Sequence, residues 1–568
     1  MPEAVDVVVI GSGAAGMAAA ALAAAEGLAV VLLEKTEALG GTTATSGGMV
    51  WAPGNAHLGA DAAKDVAAAR SYLDRVVGGD DPGGRRESFL AHAAPAIAAL
   101  EARTELRFQP VARYPDYYPD LPGAALGGRV LEPVPFDGRL LGRHFALLRA
   151  PIPEFTPFGG MMIARADLVH FRRAMRSLPA MAIVARRLAR HARERLRHPR
   201  GTTLVLGNAL AGRLLLSLMQ LNVDIRVGMG ATRLIFAEGR VRGVEAGGTV
   251  IPVRRGIVLA CGGFSHDPAL REALLAAPAR RFSAAFAGDS GDGIRLARAA
   301  GAAIAARGEG AAFWTPVSSF TRDDGSLAIF PHTVTDRAKP GTLAVDEGGR
   351  RFVNEALSYH EFVRAMLRAK MARAFLICDH ASLRRYGFGP IAPIFSGIRR
   401  WIRRGYLVSA PDIAALARAL GLAPAALGAT VSRFNEDARR GEDREFGRGG
   451  DAYQRHLGDP AHHPNPCLAP LATPPFYAIT LYPADLGTSA GLATDARARV
   501  LDSAGAPIRG LYACGNDMAS VMDGAYPGPG ITLGPALTFA YLACRALLQE
   551  DNFFPVPSEW HLPQGGKC

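Results

Sequence analysis

The chain has 568 residues, of which 49% are hydrophobic and 20% are charged, with a formal net charge of +12. These proportions exclude an intrinsically disordered protein. The length exceeds what one hydrophobic core usually serves, so we expect two or three domains.

The N-terminal segment predicts a strand at 5–10, a GSGAAG turn, an alanine-rich helix to about residue 26 and a second strand at 29–33. In such a unit the helix N-terminus offers amide donors and a positive dipole end to phosphates. Glu34, at the tip of the second strand, can accept hydrogen bonds from an adenosine ribose. The order of strand, turn, helix, strand and acid therefore predicts a dinucleotide site.

The three glycines of GSGAAG have separate roles in this prediction. Gly11 permits the tight turn, Gly13 lets the backbone approach a pyrophosphate, and Gly16 lets the helix pack closely on the strand. The loop GGTTATSGG at 40–48 follows the second strand directly and favours FAD over NAD, because it suits a long dinucleotide lying extended past the acid. No second GxGxxG unit is evident, so NAD(P)H is not an expected partner.

Positive charge is concentrated in the basic segment 172–200, which contains ten arginines and one acid, Glu194. Apolar residues are interleaved with the arginines. This composition is typical of a helix on an anionic membrane surface, and a solvated basic helix is the alternative. No stacking aromatic residues or known motif accompany the arginines, so we do not expect nucleic-acid binding.

Three further motifs lie later in the chain. GIVLACGGFS at 256–265 and IRGLYACGND at 508–517 each predict a strand that ends in glycine near the cofactor, which makes the cofactor domain discontinuous. GAYPGPG at 524–530 is neither an ordinary helix nor an interior strand, because proline removes amide donors and glycine permits unusual backbone shapes. Composition alone leaves open whether this stretch is a surface turn or a functional loop.

Cysteine usage and hydropathy bear on the cellular compartment. The six cysteines are far apart and form no CxxC pair, as expected for thiols in a reducing compartment. The apolar stretches 17–33 and 208–223 are interrupted by Glu26 and Arg213, so neither predicts a membrane span. The N-terminal residues lack a secretory pattern. We expect a cytoplasmic protein, with peripheral contact to the inner face of the cell membrane left open.

These motifs resemble the fumarate reductase and 3-ketosteroid dehydrogenase superfamily of flavoproteins. The resemblance covers nearly the whole chain, through GSGAAG, LEKTEALGGTTATSGG, VLACGGF, GGRRFVNEALSY, LYACGND and YPGPG. Within the superfamily the chain is most similar to 3-ketosteroid Δ1-dehydrogenases, on PDYYP (115–119), RRFVNEALSY ending at Tyr359, and AYPGPG around Tyr526.

The resemblance implies an α/β fold with two domains. A Rossmann-like FAD-binding domain would be discontinuous, at 1–290 and 475–568. An α+β catalytic domain would be inserted at 291–474. FAD would be bound non-covalently, because no histidine occurs in GTTATSGG, where flavin-linked relatives carry one.

The family reaction removes two hydrogens, from C1 and C2 of the A-ring of a 3-ketosteroid. By the resemblance, the phenol of Tyr526 and the backbone N–H of Gly530 would bind the C3 oxygen. Tyr359 would remove the C2 proton, and a hydride would leave C1 for flavin N5. Tyr117 would hydrogen-bond Tyr359, although Tyr114 and Tyr118 are close competitors for this role.

The predicted cofactor-binding residues combine the glycine turn, the acid, the hydroxyl loop and the later motifs. They are Gly11, Ser12, Gly13, Ala14, Ala15, Gly16, Glu34, Lys35, Gly40, Gly41, Thr42, Thr43, Ser46, Gly47, Gly48, Ala231, Ala260, Gly262, Gly515, Asn516, Gly530, Thr532 and Leu533.

Alternative functions remain open from the sequence. One is dehydrogenation at C4–C5 of the same steroid class. Another is a fumarate-reductase-like flavoenzyme, with His332 and Arg337 as dicarboxylate ligands. A third is a protein that keeps FAD for structure and docks through the basic segment. The electron acceptor is not specified, although a quinone would fit membrane docking.

Overall fold

The computed structural model describes residues 4–549, except 79, 168–169, 172–176, 307 and 394–396. Three arginines of the basic segment, at 172, 173 and 176, therefore lie outside the described residues.

The first sheet has eight strands and is mainly parallel at its centre. Val5–Ile10 pairs in parallel with both Val30–Leu33 and Thr249–Leu259. Thr249–Leu259 in turn pairs in parallel with Pro507–Ala513. Strands that are remote in sequence thus lie side by side, which confirms the Rossmann-like, discontinuous sheet expected from the motifs. The remaining strands of this sheet are Arg499–Leu501, Asp224–Arg226, Ala231–Ala237 and Arg240–Ala246.

The alanine-rich helix Ala14–Ala25 packs between Leu206–Gln220 and the C-terminal helix Leu533–Gln549. Its small side chains permit close approach on several faces, and nearly all of them are buried. Gly16 has no room for a side chain, because a Cβ atom there would lie 1.9 Å from the carbonyl oxygen of Gly11. As predicted, the glycine at position 16 lets the helix pack directly against the turn.

The second sheet has seven strands and carries the inserted region. Its long central strand, Phe476–Thr488, pairs antiparallel with Ala312–Thr321, Ala374–Asp379 and Val408–Ala410, and in parallel with Phe282–Ser283. The other two strands are Leu327–Pro331 and Thr342–Val345. The predicted domain limits at 290 and 475 stay a prediction, but the strand 476–488 belongs to this second sheet.

Three small sheets complete the strands of the described residues. They pair Ile304–Ala305 with Gly491–Leu492, Phe136–Asp137 with Thr203–Leu204, and Val130–Pro133 with both Val50–Trp51 and Phe108–Pro110.

The α-helices not yet named surround the two large sheets. They are Ala62–Val76, Arg85–Arg103, Pro157–Gly160, Leu178–Arg195, Pro268–Leu274, Asp292–Ala299, Tyr359–Arg368, His380–Tyr386, Ile398–Arg403, Ile413–Leu420, Pro424–Arg440 and Ala452–Leu457. None of the helices in the described part of the chain is long and apolar enough to cross a membrane.

Candidate active site

A cleft opens at the carboxyl ends of the parallel strands of the first sheet. It is bounded by the GSGAAG turn, the loop after Val30–Leu33, and the start of the helix Leu533–Gln549. Ligands of open α/β sheets bind at this position, outside the carboxyl ends of the strands. The fold thus places the predicted dinucleotide motifs around one cleft.

Most of the predicted cofactor residues line this cleft. They are Gly11, Ser12, Gly13, Ala14, Ala15, Glu34, Lys35, Gly41, Thr42, Thr43, Ser46, Ala231, Ala260, Gly262, Gly515, Asn516, Thr532 and Leu533. Gly16, Gly40, Gly47, Gly48 and Gly530 lie outside its lining. Gly16 and Gly40 instead make close packing contacts, to the carbonyl of Gly11 and to the side chain of Ala44.

The sequence reasoning did not single out several residues that line the cleft. They are Ile10, Leu33, Met229, Gly230, Cys261, Phe286, Gly288, Asp289, Asp292, Leu486 and Ala536. The most polar of them come from GDSGDG at 288–293, a glycine-rich stretch whose signal was present in the sequence. Thr42 Oγ1 donates a hydrogen bond of 2.7 Å to Asp289 Oδ2, and burial raises the pKa of this carboxyl well above its usual value.

Glu34 is fixed at the end of its strand by hydrogen bonds to both carboxylate oxygens. Ser12 Oγ donates to Oε2 at 2.5 Å, and the Thr36 hydroxyl donates to Oε1 at 2.8 Å. The first turn of the helix Ala14–Ala25 points its N-terminus at the same cleft. An adenine dinucleotide requires a glycine-lined cleft for close approach, a helix N-terminus that donates to its phosphates and an acid that accepts from its ribose. All three features are present, so the residues fit FAD.

Three tyrosines from three distant parts of the chain meet in one buried cluster. The hydroxyls of Tyr117 and Tyr359 are 3.0 Å apart and hydrogen-bonded. The ring of Tyr526 stacks on that of Tyr117 with centroids 5.5 Å apart and meets the ring of Tyr359 edge-on at 5.2 Å. All three side chains are buried. The structure therefore brings together the three tyrosines that the sequence singled out.

The YPGPG loop is held in place by its neighbours. The carbonyl of Pro527 accepts hydrogen bonds from the backbone N–H of Tyr117, at 2.8 Å, and from the hydroxyl of Tyr72, at 2.6 Å. The carbonyl of Gly530 accepts from the N–H of Trp51 at 3.1 Å. Thr532 and Leu533, which follow directly, line the cofactor cleft. The loop thus connects the tyrosine cluster to the cofactor site.

A buried ion pair holds the PDYYP loop in place. Asp116 Oδ2 accepts a hydrogen bond of 2.6 Å from Arg129, and its Oδ1 accepts from the indole N–H of Trp51 at 2.8 Å. Asp116 and Arg129 are each only 1% exposed. Because Asp116 precedes Tyr117, this pair fixes the backbone that presents the tyrosine.

Tyr359 is the first residue of the helix Tyr359–Arg368, which Ser358 caps through a hydrogen bond from the N–H of Glu361. The preceding loop is fixed by Arg351, which donates to the carboxylates of Glu355 and Asp443 at 2.7–3.0 Å. The motif GGRRFVNEALSY therefore combines a buried ion network with a helix cap. Together they determine where the Tyr359 hydroxyl lies.

Burial dominates the electrostatics of the cluster. It raises the pKa of Tyr526 to about 12 and holds the pKa values of Tyr359 and Tyr117 well above the usual range. At Tyr359 the nearby phenol of Tyr526 adds to this effect, whereas the hydrogen bond with Tyr117 lowers the pKa. Burial also lowers the pKa of His360, next in the chain, to about 3, so its imidazole is neutral.

The two competitors for the role of Tyr117 have other contacts. The hydroxyl of Tyr118 donates to Glu361 Oε1 at 2.8 Å, and the ring of Tyr114 packs against His456 with centroids 4.6 Å apart. The sequence reasoning missed Tyr453, whose ring lies 4.6 Å from that of Tyr117. Its position in a polar helix start gave no signal of this contact.

His332 and Arg337, the residues considered as dicarboxylate ligands, are both buried. His332 bonds Ser318 Oγ at 2.7 Å and Asp336 Oδ2 at 2.5 Å. The guanidinium of Arg337 donates to the backbone carbonyls of residues 332, 333, 355 and 357. Both side chains thus have their hydrogen-bonding capacity committed within the protein.

Comparisons with known proteins agree with this geometry. Residues 6–533 match the FAD binding domain family. The 3-oxosteroid 1-dehydrogenase of Mycobacterium tuberculosis is 37% identical over 563 residues, covering 95% of this chain and 97% of that protein. The 4-oxocyclohex-2-ene-1-carboxylate 5-dehydrogenase of Sinomonas cyclohexanicum is 36% identical over 551 residues, covering 95% and 93%.

Among solved structures, the 3-ketosteroid Δ1-dehydrogenase of Sterolibacterium denitrificans, in complex with 1,4-androstadiene-3,17-dione, has a TM-score of 0.88 and 37% sequence identity. The match covers 96% of this chain and 99% of that one. The chain therefore belongs to the FAD binding domain family and, within it, to the 3-oxosteroid 1-dehydrogenase family of FAD-dependent oxidoreductases.

Proposed function

We propose that the protein introduces a C1–C2 double bond into the A-ring of 3-ketosteroids. The observation that carries this proposal is the hydrogen-bonded pair of Tyr117 and Tyr359, packed against Tyr526, whose loop continues into the cleft residues Thr532 and Leu533. A ketone in this position would have a phenol for its oxygen and a second phenol for the proton at the adjacent carbon.

In the proposed site, Tyr526 and Gly530 bind the C3 oxygen. The phenol of Tyr526 donates one hydrogen bond, and the backbone N–H of Gly530 donates the other. The pKa of Tyr526, about 12, keeps its proton in place at neutral pH. Two fixed donors in a buried site stabilise the negative charge that develops on this oxygen when the neighbouring C2 proton leaves.

Tyr359 is the proposed base that removes the C2 proton. Burial opposes its ionisation, and the hydrogen bond with Tyr117 favours it. Tyr117 thus holds the Tyr359 oxygen in position and lowers the cost of the phenolate. The cleft residues would hold FAD, and the bound flavin would supply the acceptor for the hydride released from C1.

The fumarate-reductase-like alternative is not favoured by the geometry. A small dicarboxylate needs several convergent cationic donors. The side chains of His332 and Arg337 are instead hydrogen-bonded within the protein, to Ser318, Asp336 and backbone carbonyls. A second candidate substrate class comes from the Sinomonas cyclohexanicum relative, whose name specifies a cyclic ketone that carries a carboxylate. The same clamp and base suit any cyclic ketone of that kind.

Product identification tests the proposal. The purified enzyme is incubated with 5α-androstane-3,17-dione or androst-4-ene-3,17-dione and a dye acceptor, and the products are identified by mass spectrometry and NMR. We expect a double bond at C1–C2. A C4–C5 product from the saturated ketone would support the rival regiochemistry. If 3-ketosteroids leave the oxidised flavin absorbance unchanged under anaerobic conditions, the flavin would be structural.

For the partners, we propose that the helix Leu178–Arg195 docks on an anionic membrane. Leu178 and Met181 on this helix are 75% and 49% exposed, and Phe158 beside it is 55% exposed. The carbonyl of Phe158 bonds the ring of His191 at 2.8 Å, which ties this apolar loop to the basic helix. Exposed apolar and arginine side chains on one element are typical of membrane-surface helices. A quinone in that membrane is the proposed electron acceptor.

Arg200, at the end of the basic segment, is partly buried and bound to the protein instead of lying on this surface. Its guanidinium donates to Asn208 and to the carbonyl of Leu148 and lies 4.5 Å from the ring of Phe145. Partial burial lowers its pKa to about 10. The described residues of the basic segment therefore comprise a largely exposed helix and a partly buried anchor.

A further inference from the structure

Arg165 lies next to the catalytic cluster on two sides. Its guanidinium carbon is 4.9 Å from the centroid of the Tyr114 ring. Its Nη2 donates to the sulfur of Met49 at 3.5 Å. Of these two neighbours, Met49 contacts the proposed ketone clamp directly, and Tyr114 lies within electrostatic range of Tyr526.

Met49 reaches the clamp through its backbone. A Cβ atom on Gly530 would lie 2.7 Å from the carbonyl carbon and oxygen of Met49, so the two backbones are in direct contact. On the other side, the phenol of Tyr114 is close enough to those of Tyr117 and Tyr526 to raise both of their pKa values. Arg165 is therefore linked to the clamp through Met49 and lies near its tyrosines through Tyr114.

Within the described residues Arg165 uses only part of its hydrogen-bonding capacity, on the phenol of Tyr114 and the sulfur of Met49. A guanidinium carries five donors, whereas a thioether sulfur is a weak acceptor. Its Nε atom lies 3.4 Å from Glu132 Oε2, which is an ion pair without a hydrogen bond, and Nε has no other partner in the described part of the chain. The other oxygen of Glu132 accepts from the side chain of Gln109 at 2.8 Å. The side chain of Arg165 is 32% exposed, so a ligand can reach it.

We propose that Arg165 determines substrate specificity by binding a carboxylate carried by the ketone substrate. Its forked donors match a carboxylate, and charge-assisted hydrogen bonds of this kind are among the strongest in proteins. The inference rests on the proposed function, because the ketone oxygen must occupy the Tyr526–Gly530 clamp at the same time. The carboxylate is that of a cyclohexanone acid, in which a single ring separates the ketone from the acid; in a 3-ketosteroid with an acidic side chain the whole ring system lies between them, which puts that acid out of reach of Arg165.

The experiment compares acids with their methyl esters on the FAD-loaded enzyme. The pairs are 4-oxocyclohexanecarboxylate and 3-oxochol-4-en-24-oate, each with its ester, and the measured quantity is the acid-to-ester ratio of kcat/KM. In Arg165→Gln we expect this ratio to fall by about 10- to 100-fold for the cyclohexanone pair, mainly through KM, and to stay at the wild-type value for the steroid pair. Arg165→Lys keeps the positive charge but lacks the paired N–H donors of a guanidinium, so it should give an intermediate ratio.

Arg254→Gln is the matched control. Arg254 is 31% exposed and also pairs with a carboxylate at 3.4 Å, that of Asp6, and its replacement should leave every ratio at the wild-type value. Equal ratios in wild type, Arg165→Gln and Arg165→Lys for the cyclohexanone pair would overturn the inference while leaving the proposed function intact. If the wild-type enzyme oxidises none of the ketones, the proposed function fails and the inference falls with it.

Discussion

The hydroxyl of Tyr117 lies 3.0 Å from that of Tyr359, although the two residues are 242 positions apart in the chain. Tyr117 is presented by a loop fixed on the Asp116–Arg129 pair, and Tyr359 begins a helix behind a loop fixed by Arg351. Two separate buried ion clusters therefore determine one hydrogen bond. This bond is the structural basis for assigning the proposed base.

Replacing Tyr359 by phenylalanine should remove the proposed base without disturbing the cofactor. We expect the variant to retain FAD and to lose about 10²- to 10⁴-fold in kcat, the usual scale for a general base. Flavin reduction by a 3-ketosteroid in a single-turnover experiment measures this directly. Tyr541→Phe, at a partly buried tyrosine of the C-terminal helix, is the control. Near-wild-type turnover in Tyr359→Phe would refute the assignment.

Replacing Tyr117 by phenylalanine should change the pH dependence of the reaction. The hydrogen bond with Tyr117 lowers the pKa of Tyr359, so its loss moves that pKa further up. Because the base acts as a phenolate, the rising limb of the kcat/KM profile should shift to higher pH by about one unit. At any fixed pH below the pKa of the base, kcat/KM should then be about tenfold lower than in the wild type.

Tyr118→Phe is the control for this profile, since the Tyr118 hydroxyl bonds Glu361 instead of Tyr359. Its profile should match that of the wild type. A Tyr117→Phe enzyme with an unshifted limb would mean that Tyr117 only fills space.

A methyl group at Gly530 should destabilise the clamp loop. Gly530 has φ +91°, and a Cβ there would lie 2.6 Å from the backbone nitrogen of Trp51. Gly505 has φ +81° with open space around it. Both alanine variants incur about 1–3 kcal/mol of backbone strain, but only Gly530→Ala adds a clash. We expect Gly530→Ala to lower the thermal unfolding midpoint more than Gly505→Ala does, and to bind FAD less tightly.

Equal midpoints for these two variants would indicate that the loop moves freely and is not held against Trp51. A calorimetric scan of each variant, with and without added FAD, separates loss of stability from loss of cofactor.

Removing Arg351 should destabilise the fold, because two buried carboxylates lose a cationic partner. Arg351→Met leaves Glu355 with Arg448 alone and Asp443 without its guanidinium partner, so the free energy of unfolding should fall by about 3–5 kcal/mol. Arg373→Met, which breaks an exposed pair with Glu347, should cost less than about 1 kcal/mol. Denaturant titrations at neutral pH measure both values.

The pH dependence of this loss has a definite sign. Burial alone would raise the pKa values of Glu355 and Asp443, but the neighbouring guanidinium groups outweigh burial and hold both below their usual range. In the wild type this stabilisation is present above the unfolded-state pKa values, near 4, and is lost as the pH falls through the folded-state values. The difference in the free energy of unfolding between wild type and Arg351→Met should therefore become smaller as the pH falls. A constant difference would contradict the ion-pair explanation.

The basic helix should bind anionic vesicles. We expect co-sedimentation with phosphatidylglycerol-containing liposomes that weakens as salt rises, because exposed charges are screened. The double variant Leu178→Asp and Met181→Asp should reduce the bound fraction, whereas Leu327→Asp, at another leucine that is 58% exposed, should not. Absence of binding at low salt would remove the membrane proposal.

The sequence by itself determined the parts of the protein that depend on local patterns. Strand 5–10, the glycine turn and the helix after it occur where hydrophobic periodicity and glycine spacing placed them, and the parallel sheet follows from them. Gly11, Glu34 and the 40–43 loop could be assigned to a cofactor because one short unit contains the turn, the helix N-terminus and the acid.

Only the tertiary structure decided the contacts between distant segments. The resemblance named Tyr117, Tyr359 and Tyr526, but the contact of Tyr453 with Tyr117, the saturation of Arg337 and the position of Arg165 beside Tyr114 depend on how separate loops pack. Local sequence carries no record of such pairs, since their energies come from burial and long-range packing that form only when the two sheets are assembled.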